Sequence, residues 1–295
     1  MSHNNRTISF VIILILYILA ALVGIAIYNA LPFVPWLSLL IADLGATLFI
    51  WLASLLLHNA SVYDPYWSVQ PLVILVLTMV HVGKYDIGSI LLVGVVAFWS
   101  WRLTGNWAVT FPGMHKQDWR YDQLQEKSGR FFPLVNLVGI QIMPTLIVFA
   151  CLLPGFYYLM LGGGLNAWTV VGLVVSLGGT TLELTADAQM LVFRKNNADP
   201  SRLMRSGLWR HSRHPNYLGE IMMWWGVYVV LLSVQPQLWL TGIGALINTC
   251  LFLFISVPLA EKRLAGYKVG FEQYKNETRM FLPIPKHTRV IKNGE

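Results

Sequence analysis

Long apolar runs recur along the chain and leave few architectures open. They fall at about 8–31, 36–57, 67–82, 87–107, 133–160, 166–192, 217–233 and 237–259, parted by turns such as Leu31-Pro32, Gly162-Gly163-Gly164 and Gln235-Pro236 or by polar loops. Wound as helices, runs near this length cross a hydrocarbon core of roughly 30 Å. The pattern predicts an all-α fold, a polytopic transmembrane helix bundle with eight candidate spans, forming a single membrane domain over residues 1–295. Composition agrees: 12% charged residues against 56% hydrophobic ones cannot cover a soluble globule of 295 residues. The first run, about 24 residues, outlasts a signal-peptide core and lacks a small-x-small cleavage site before Pro32, so it is read as a retained helix. The run at 67–82 is close to the lower limit for a crossing.

Cation placement orients the bundle. If all eight runs cross, the N-terminus and the segments 58–66, 108–132, 193–216 and 260–295 share one side. Nineteen of the 21 Lys and Arg lie there, Lys84 lies opposite, and Arg102 falls inside a run. Basic loops stay in the cytoplasm, so eight spans predict both termini on that side. The chain after Ala260 is amphipathic, and residues 286–295 are expected to form a flexible tail.

The same placement speaks against nucleic acid, because the net charge of +7 follows the topology of a membrane protein. Cys151 and Cys250 lie in apolar runs, which disfavours a disulfide framework or a thiolate metal site. His211 and His214 stand three apart without a carboxylate motif such as HExxH, so no metal is expected. The glycine pieces at 162–165, 177–180 and 242–245 follow no strand; they read as helix turns and close-packing points, not dinucleotide fingerprints. A nucleotide bound here must be held by helices and loops.

Two stretches concentrate chemistry. In SGLWRHSRHPNYLGE, residues 206–220, Arg210, His211, Arg213 and His214 sit within five residues ahead of an apolar run, which suits a polyanion at the membrane surface. In HNASVYDPYWS, residues 58–68, His58, Asn59, Tyr63, Asp64 and Tyr66 gather at a Pro-broken helix start. Asp64 either caps the next helix or acts as a buried acid that polarises a carbonyl. Polar residues inside apolar runs are costly and need reasons; these include Asp43, Arg102, Glu183, Asp187, Glu220 and Glu261. Arg102, among three tryptophans in FWSWRLTGNW, either snorkels or meets a buried anion. Asp187 and Arg194 are two helical turns apart and share a face that continues towards Arg202.

SGLWRHSRHPNYLGEIMMWWG, TADAQMLVFRKN and EKRLAGYKVGFEQYKNETRMFLPIPK resemble the C-terminal region of the steroid 5α-reductase family, including its bacterial members. The likeness is best over about residues 180–285. The first motif also occurs in isoprenylcysteine carboxyl methyltransferases and sterol C14-reductases, so the alternative is an S-adenosylmethionine-dependent membrane methyltransferase. The resemblance implies a seven-helix core in the bacterial inner membrane with the cofactor site facing the cytoplasm. It implies NADPH as cofactor, region 180–285 as its seat, and hydride transfer to the β-carbon of a 3-oxo-Δ4 steroid or similar enone. Carried over, Asp187, Arg194 and Arg202 contact the adenosine and phosphate parts, and Asn216 and Glu220 the nicotinamide end, with Trp224 one turn on. Glu261, Arg263 and Tyr267 fall near the last nucleotide-contacting helix. Arg102, Arg213, His214 and Tyr217 complete the expected cofactor set. The family's catalytic Gln, Glu and Tyr lack clear counterparts: by helix order Asp64 takes the glutamate's place, Trp99 or Arg102 lies near the tyrosine's, and Tyr63 or Tyr66 supplies a hydroxyl. The spacing of Asp187 and Arg194 favours the reductase.

Overall fold

The computed structural model describes residues 6–282; the expected tail at 286–295 lies outside them. Among the described residues the chain is helical, with one isolated β-bridge between Ser212 and Arg279. It divides into two compact units, Met1–Leu165 and Asn166–Glu295.

The N-terminal unit holds α1 (Arg6–Ala30), α2 (Pro35–Leu56), α3 (Tyr66–Val82), α4 (Ile87–Thr110), α5 (Trp119–Ser128), α6 (Phe132–Val135) and α7 (Met143–Leu161). The C-terminal unit holds α8 (Ala167–Lys195), α9 (Pro215–Leu232), α10 (Ile243–Leu251), α11 (Val257–Ala265) and α12 (Phe271–Glu277). Helix ends follow local chemistry. Pro35 opens α2 where no amide partner is needed. Asn166 and Thr169 form a reciprocal capping box at the start of α8.

Among the described residues seven stretches are long and apolar enough to cross a membrane: α1, α2, Ala60–Val82, α4, Trp119–Leu161, α8 and Pro236–Ala265. The short run at 67–82 reaches that length because a 3-10 turn at Ala60–Tyr63 precedes α3. The expected run at 217–233 is the 18-residue helix α9, but it falls outside this set. Asn216, Glu220 and two tryptophans lower its apolar content. Eight crossings therefore do not follow from composition, and neither does the shared side for both termini that depended on them.

Within the N-terminal unit, α6 runs into α7 through a π-helical stretch, Asn136–Ile142. The wider turn faces Asn136 and Gln141 onto Ser54 of α2, whose hydroxyl accepts from Asn136 Nδ2 at 3.0 Å and Gln141 Nε2 at 3.1 Å. The two amide nitrogens are thus satisfied within the bundle, Gln141 Nε2 also donating to Asn136 Oδ1 at 3.0 Å, whereas the buried Gln141 Oε1 has no hydrogen-bond partner among the described residues.

In the C-terminal unit α8 and α9 run antiparallel in near backbone contact. A Cβ built on Gly179 would lie 2.5 Å from the Gly219 carbonyl oxygen, and one on Gly219 would lie 2.5 Å from the Gly179 oxygen. Two turns away the pattern repeats: a Cβ on Gly226 meets the Gly172 oxygen at 2.5 Å, and one on Gly172 meets the Gly226 oxygen at 2.7 Å. Without side chains at these four positions, the helices approach as small-residue packing in membranes allows. Ser176 Oγ donates to the Met223 carbonyl at 2.9 Å between them.

Candidate functional site

The 58–66 segment is held by hydrogen bonds to the loop that begins after α4. Asn59 caps the 3-10 turn by accepting from Ser61 N at 2.9 Å, and its Nδ2 donates to the carbonyls of Met114 at 2.8 Å and Lys116 at 3.1 Å. Ala60 N donates to Gln117 Oε1 at 2.7 Å, and Asp118 N to Ser61 Oγ at 2.9 Å. Asp64 is not a helix cap here: α3 begins after Pro65 with no side-chain cap. Its Oδ1 instead accepts the Tyr121 hydroxyl of α5 at 2.7 Å. Tyr63 is fully buried and its hydroxyl pairs with Thr145 Oγ1 at 2.8 Å. Tyr66 stacks obliquely on Tyr63 with ring centroids 5.5 Å apart. His58 is exposed and holds a left-handed backbone, φ 52°. The predicted catalytic cluster therefore divides. Asn59 shapes the turn, Asp64 joins Tyr121, and Tyr66 turns towards a cavity.

That cavity, ≈ 350 Å³, lies among α1, α2, α3 and α7. Its walls are mostly apolar, with Tyr17, Asp43, Tyr66 and Gln70 as polar members towards one end and Tyr28 and His81 towards the other. Gln70 Nε2 donates to Asp43 Oδ2 at 2.6 Å, and both residues are buried. Its volume falls low in the range of about 300–1,000 Å³ that small-molecule sites occupy.

In the C-terminal unit the basic loop 206–214 is fastened from behind. Arg213 N and His214 N donate to the carbonyls of Arg279 and Met280, both at 3.0 Å. Arg213 Nε lies 2.7 Å from Glu261 Oε1, and its Nη1 donates to the Thr278 carbonyl. His214 Nε2 lies 3.2 Å from the same carboxylate oxygen, and Lys275 Nζ lies 3.3 Å from Glu261 Oε2. Glu261, Arg213 and His214 are all buried, so this network locks loop to helix. The His214 ring lies flat on Tyr217, centroids 5.2 Å apart, and Tyr217 leans on Phe252 at 4.7 Å. Glu220 Oε1 accepts from Trp224 Nε1 at 2.7 Å one turn on, in a buried setting.

Arg194 and Arg202 are exposed. They gather with Lys268, whose Nζ donates to the Arg202 carbonyl at 2.7 Å. Partial burial, and next the positive charge of Arg194, hold the Lys268 ammonium below its ordinary pKa. Asp199 opposes this: hydrogen bonds from Ser201, then the charges of Lys268 and Arg202, hold its carboxyl below the usual range. Asp187 is half-buried on α8, and Arg263 and Tyr267 are exposed after Glu261. Arg102 is buried in α4 of the N-terminal unit, apart in sequence from the other expected cofactor residues. Tyr121 and Lys268 were not singled out by sequence reasoning. Both lie in polar stretches, where charged and aromatic residues are ordinary.

The profile of a family described as a protein of unknown function (DUF1295) matches residues 50–278. An uncharacterized protein of Schizosaccharomyces pombe is 28% identical over 290 residues, 87% of this chain and 81% of that protein. The Arabidopsis thaliana protein named steroid 5-alpha-reductase DET2 is 31% identical over 116 residues, 39% of this chain and 41% of that protein. No solved structure matches.

Proposed function

The chain belongs to the DUF1295 family, which includes steroid 5-alpha-reductase-like proteins, and from that premise we propose that it is an NADPH-dependent membrane reductase of an apolar enone, with a 3-oxo-Δ4 steroid as the first substrate to try. One observation carries the reading: the exposed Arg194 and Arg202 lie near Lys268, whose Nζ donates to the Arg202 carbonyl. Asp199 offsets part of this positive charge, and a polyanion suits the remainder. Phosphate groups supply one, and guanidinium contacts to them contribute about 1.5–3 kcal/mol each. The same cluster disfavours S-adenosylmethionine, whose sulfonium brings a further positive charge.

When bound, NADPH supplies a hydride. The chain's own groups do the rest. Arg194, Arg202 and Lys268 take the phosphates, and buried Glu220, oriented by Trp224, takes polar atoms at the nicotinamide end. The N-terminal cavity takes the acceptor and keeps water from it. Hydride addition at the β-carbon leaves an enolate that needs a hydrogen-bond donor and finally a proton at the α-carbon. Asp64, whose Oδ1 accepts the Tyr121 hydroxyl, is carried over by helix order from the family's glutamate as the acid for that role, and it is not among the residues lining the cavity.

Purified protein in detergent is expected to consume the near-ultraviolet absorbance of NADPH when a 3-oxo-Δ4 steroid is added. S-adenosylmethionine is expected to leave it unchanged. Arg194→Ala should raise KM for NADPH about ten- to hundredfold with the steroid's KM nearly unchanged. Equal rises in both would make the arginine structural, and no NADPH consumption with any enone would overturn the reading.

A further inference from the structure

A buried amide in the C-terminal unit has an unanswered donor. Asn248 of α10 is 6% exposed, and its Nδ2 has no hydrogen-bond partner among the described residues. Buried donors are nearly always paired, and Asn248 lies inside the apolar stretch Pro236–Ala265, where no water relieves the cost. One turn later, Phe252–Ser256 winds as a π-helix, an irregularity that recurs at functional sites.

The register of α9 and α10 shows what this amide stands beside. Tyr217 meets Phe252 with ring centroids 4.7 Å apart, and Trp225 Nε1 donates to Thr249 Oγ1 at 2.9 Å, so the helices run antiparallel with these four residues in the seam. At 3.6 residues per turn, Glu220 and Trp224 stand about 60–100° off the seam on α9, and Asn248 about 70° off it on α10, in the same sense of rotation. For antiparallel helices that brings all three to one flank. Along the axis, Asn248 is level with the turn from Glu220 to Trp224. Glu220 is held in place there, its Oε1 accepting from Trp224 Nε1 at 2.7 Å, and both residues are buried.

A carboxylate that accepts and an amide that donates thus share one flank from two helices. A phosphate is repelled by the carboxylate. A hydroxyl offers its donor and acceptor on a single atom, whereas these two groups sit on separate helices. A primary carboxamide carries an acceptor and a donor on separate atoms, in one plane and without charge. We infer that Asn248 is a further cofactor-contacting residue, whose Nδ2 donates to the carboxamide oxygen of the nicotinamide while Glu220 accepts from the carboxamide nitrogen. The inference rests on the proposed function, which seats the nicotinamide at Glu220; it adds the residue that selects for the carboxamide and fixes the direction in which it lies.

The test is equilibrium binding to the purified full chain in detergent, measured by titration calorimetry. Wild-type and Asn248→Leu protein are each titrated with NADPH and with phospho-ADP-ribose, the same nucleotide without its nicotinamide. NADPH should bind the variant about tenfold more weakly, whereas phospho-ADP-ribose should bind both proteins alike. An unchanged NADPH affinity, or an equal loss for the two nucleotides, would overturn the inference and leave the proposed function standing. Should the variant not fold, the wild-type protein decides: the thionicotinamide analogue of NADP, in which a weakly accepting sulfur replaces the carboxamide oxygen, should bind several-fold more weakly than NADP, and equal affinities would overturn the inference. Failure of the wild-type protein to bind either NADPH or phospho-ADP-ribose would overturn the proposed function, and this assignment with it.

Discussion

Gly179 and Gly178 are neighbours on α8, yet replacing each by alanine should have opposite effects. A Cβ on Gly179 would sit 2.5 Å from the Gly219 carbonyl oxygen and 2.8 Å from the Met223 amide nitrogen. Carbon and heavy atoms pack comfortably at about 3.5 Å, so α9 must retreat by about 1 Å, and backbone atoms cannot swing aside as a side-chain tip does. A gap of that size forfeits about a quarter to a half of each dispersion contact along the helix pair. Overpacking of this kind costs about 1–3 kcal/mol, and the backbone clash places Gly179→Ala near the upper end. A Cβ on Gly178 meets nothing within 4 Å. Gly178→Ala should therefore gain helix propensity, up to about 1 kcal/mol. The two variants should differ by about 3–4 kcal/mol. In detergent-solubilised protein that separates their melting midpoints by roughly 5–10 °C or more, with Gly178→Ala at or above wild type. Equal midpoints for the two variants would refute the claim that backbone contact holds α8 to α9.

Asp64→Asn is expected to lower turnover more than tenfold while NADPH still binds, and Tyr121→Phe to lower it less, by about the worth of one hydrogen bond; steady-state kinetics with unchanged turnover for Asp64→Asn would return this residue to a structural role. Glu261→Gln should leave Arg213 buried without its counter-ion and destabilise the protein by about 3–5 kcal/mol, read as a lowered melting midpoint; Lys275→Ala, removing a half-exposed partner of the same carboxylate, should cost about 1 kcal/mol or less.

Much of the helical frame was legible because a bilayer imposes a length on every crossing element, and runs such as 8–31 and 36–57 have no other physical reading. The limit of that rule shows at α9, where Glu220 and its neighbours weaken an otherwise adequate span. The glycines at 177–180 were readable as packing points, but their partners on α9 were not, since reciprocity depends on the antiparallel register. The pairing of Asp64 with Tyr121 was hidden because α5 lies in a mixed-charge stretch without apolar periodicity. Asp43 stood out as a carboxyl in an apolar run. Gln70 carried the same signal, an amide at membrane depth, and its meaning emerges only beside Asp43. The π-helical turn at Asn136–Ile142 left no trace in local pattern, because one added residue per turn changes direction without changing composition.

The fastening of the basic loop has a consequence for how this protein is made. Ser212, Arg213 and His214 find their backbone partners at Arg279 and Met280, more than sixty residues later in translation order. While the ribosome is still decoding α10 and α11, the loop has no such partner and its arginines face the nascent chain's surroundings alone. Maturation of the basic loop must then wait until those late residues clear the exit tunnel, and a ribosome stalled shortly before them would leave inserted helices bearing an unfastened loop.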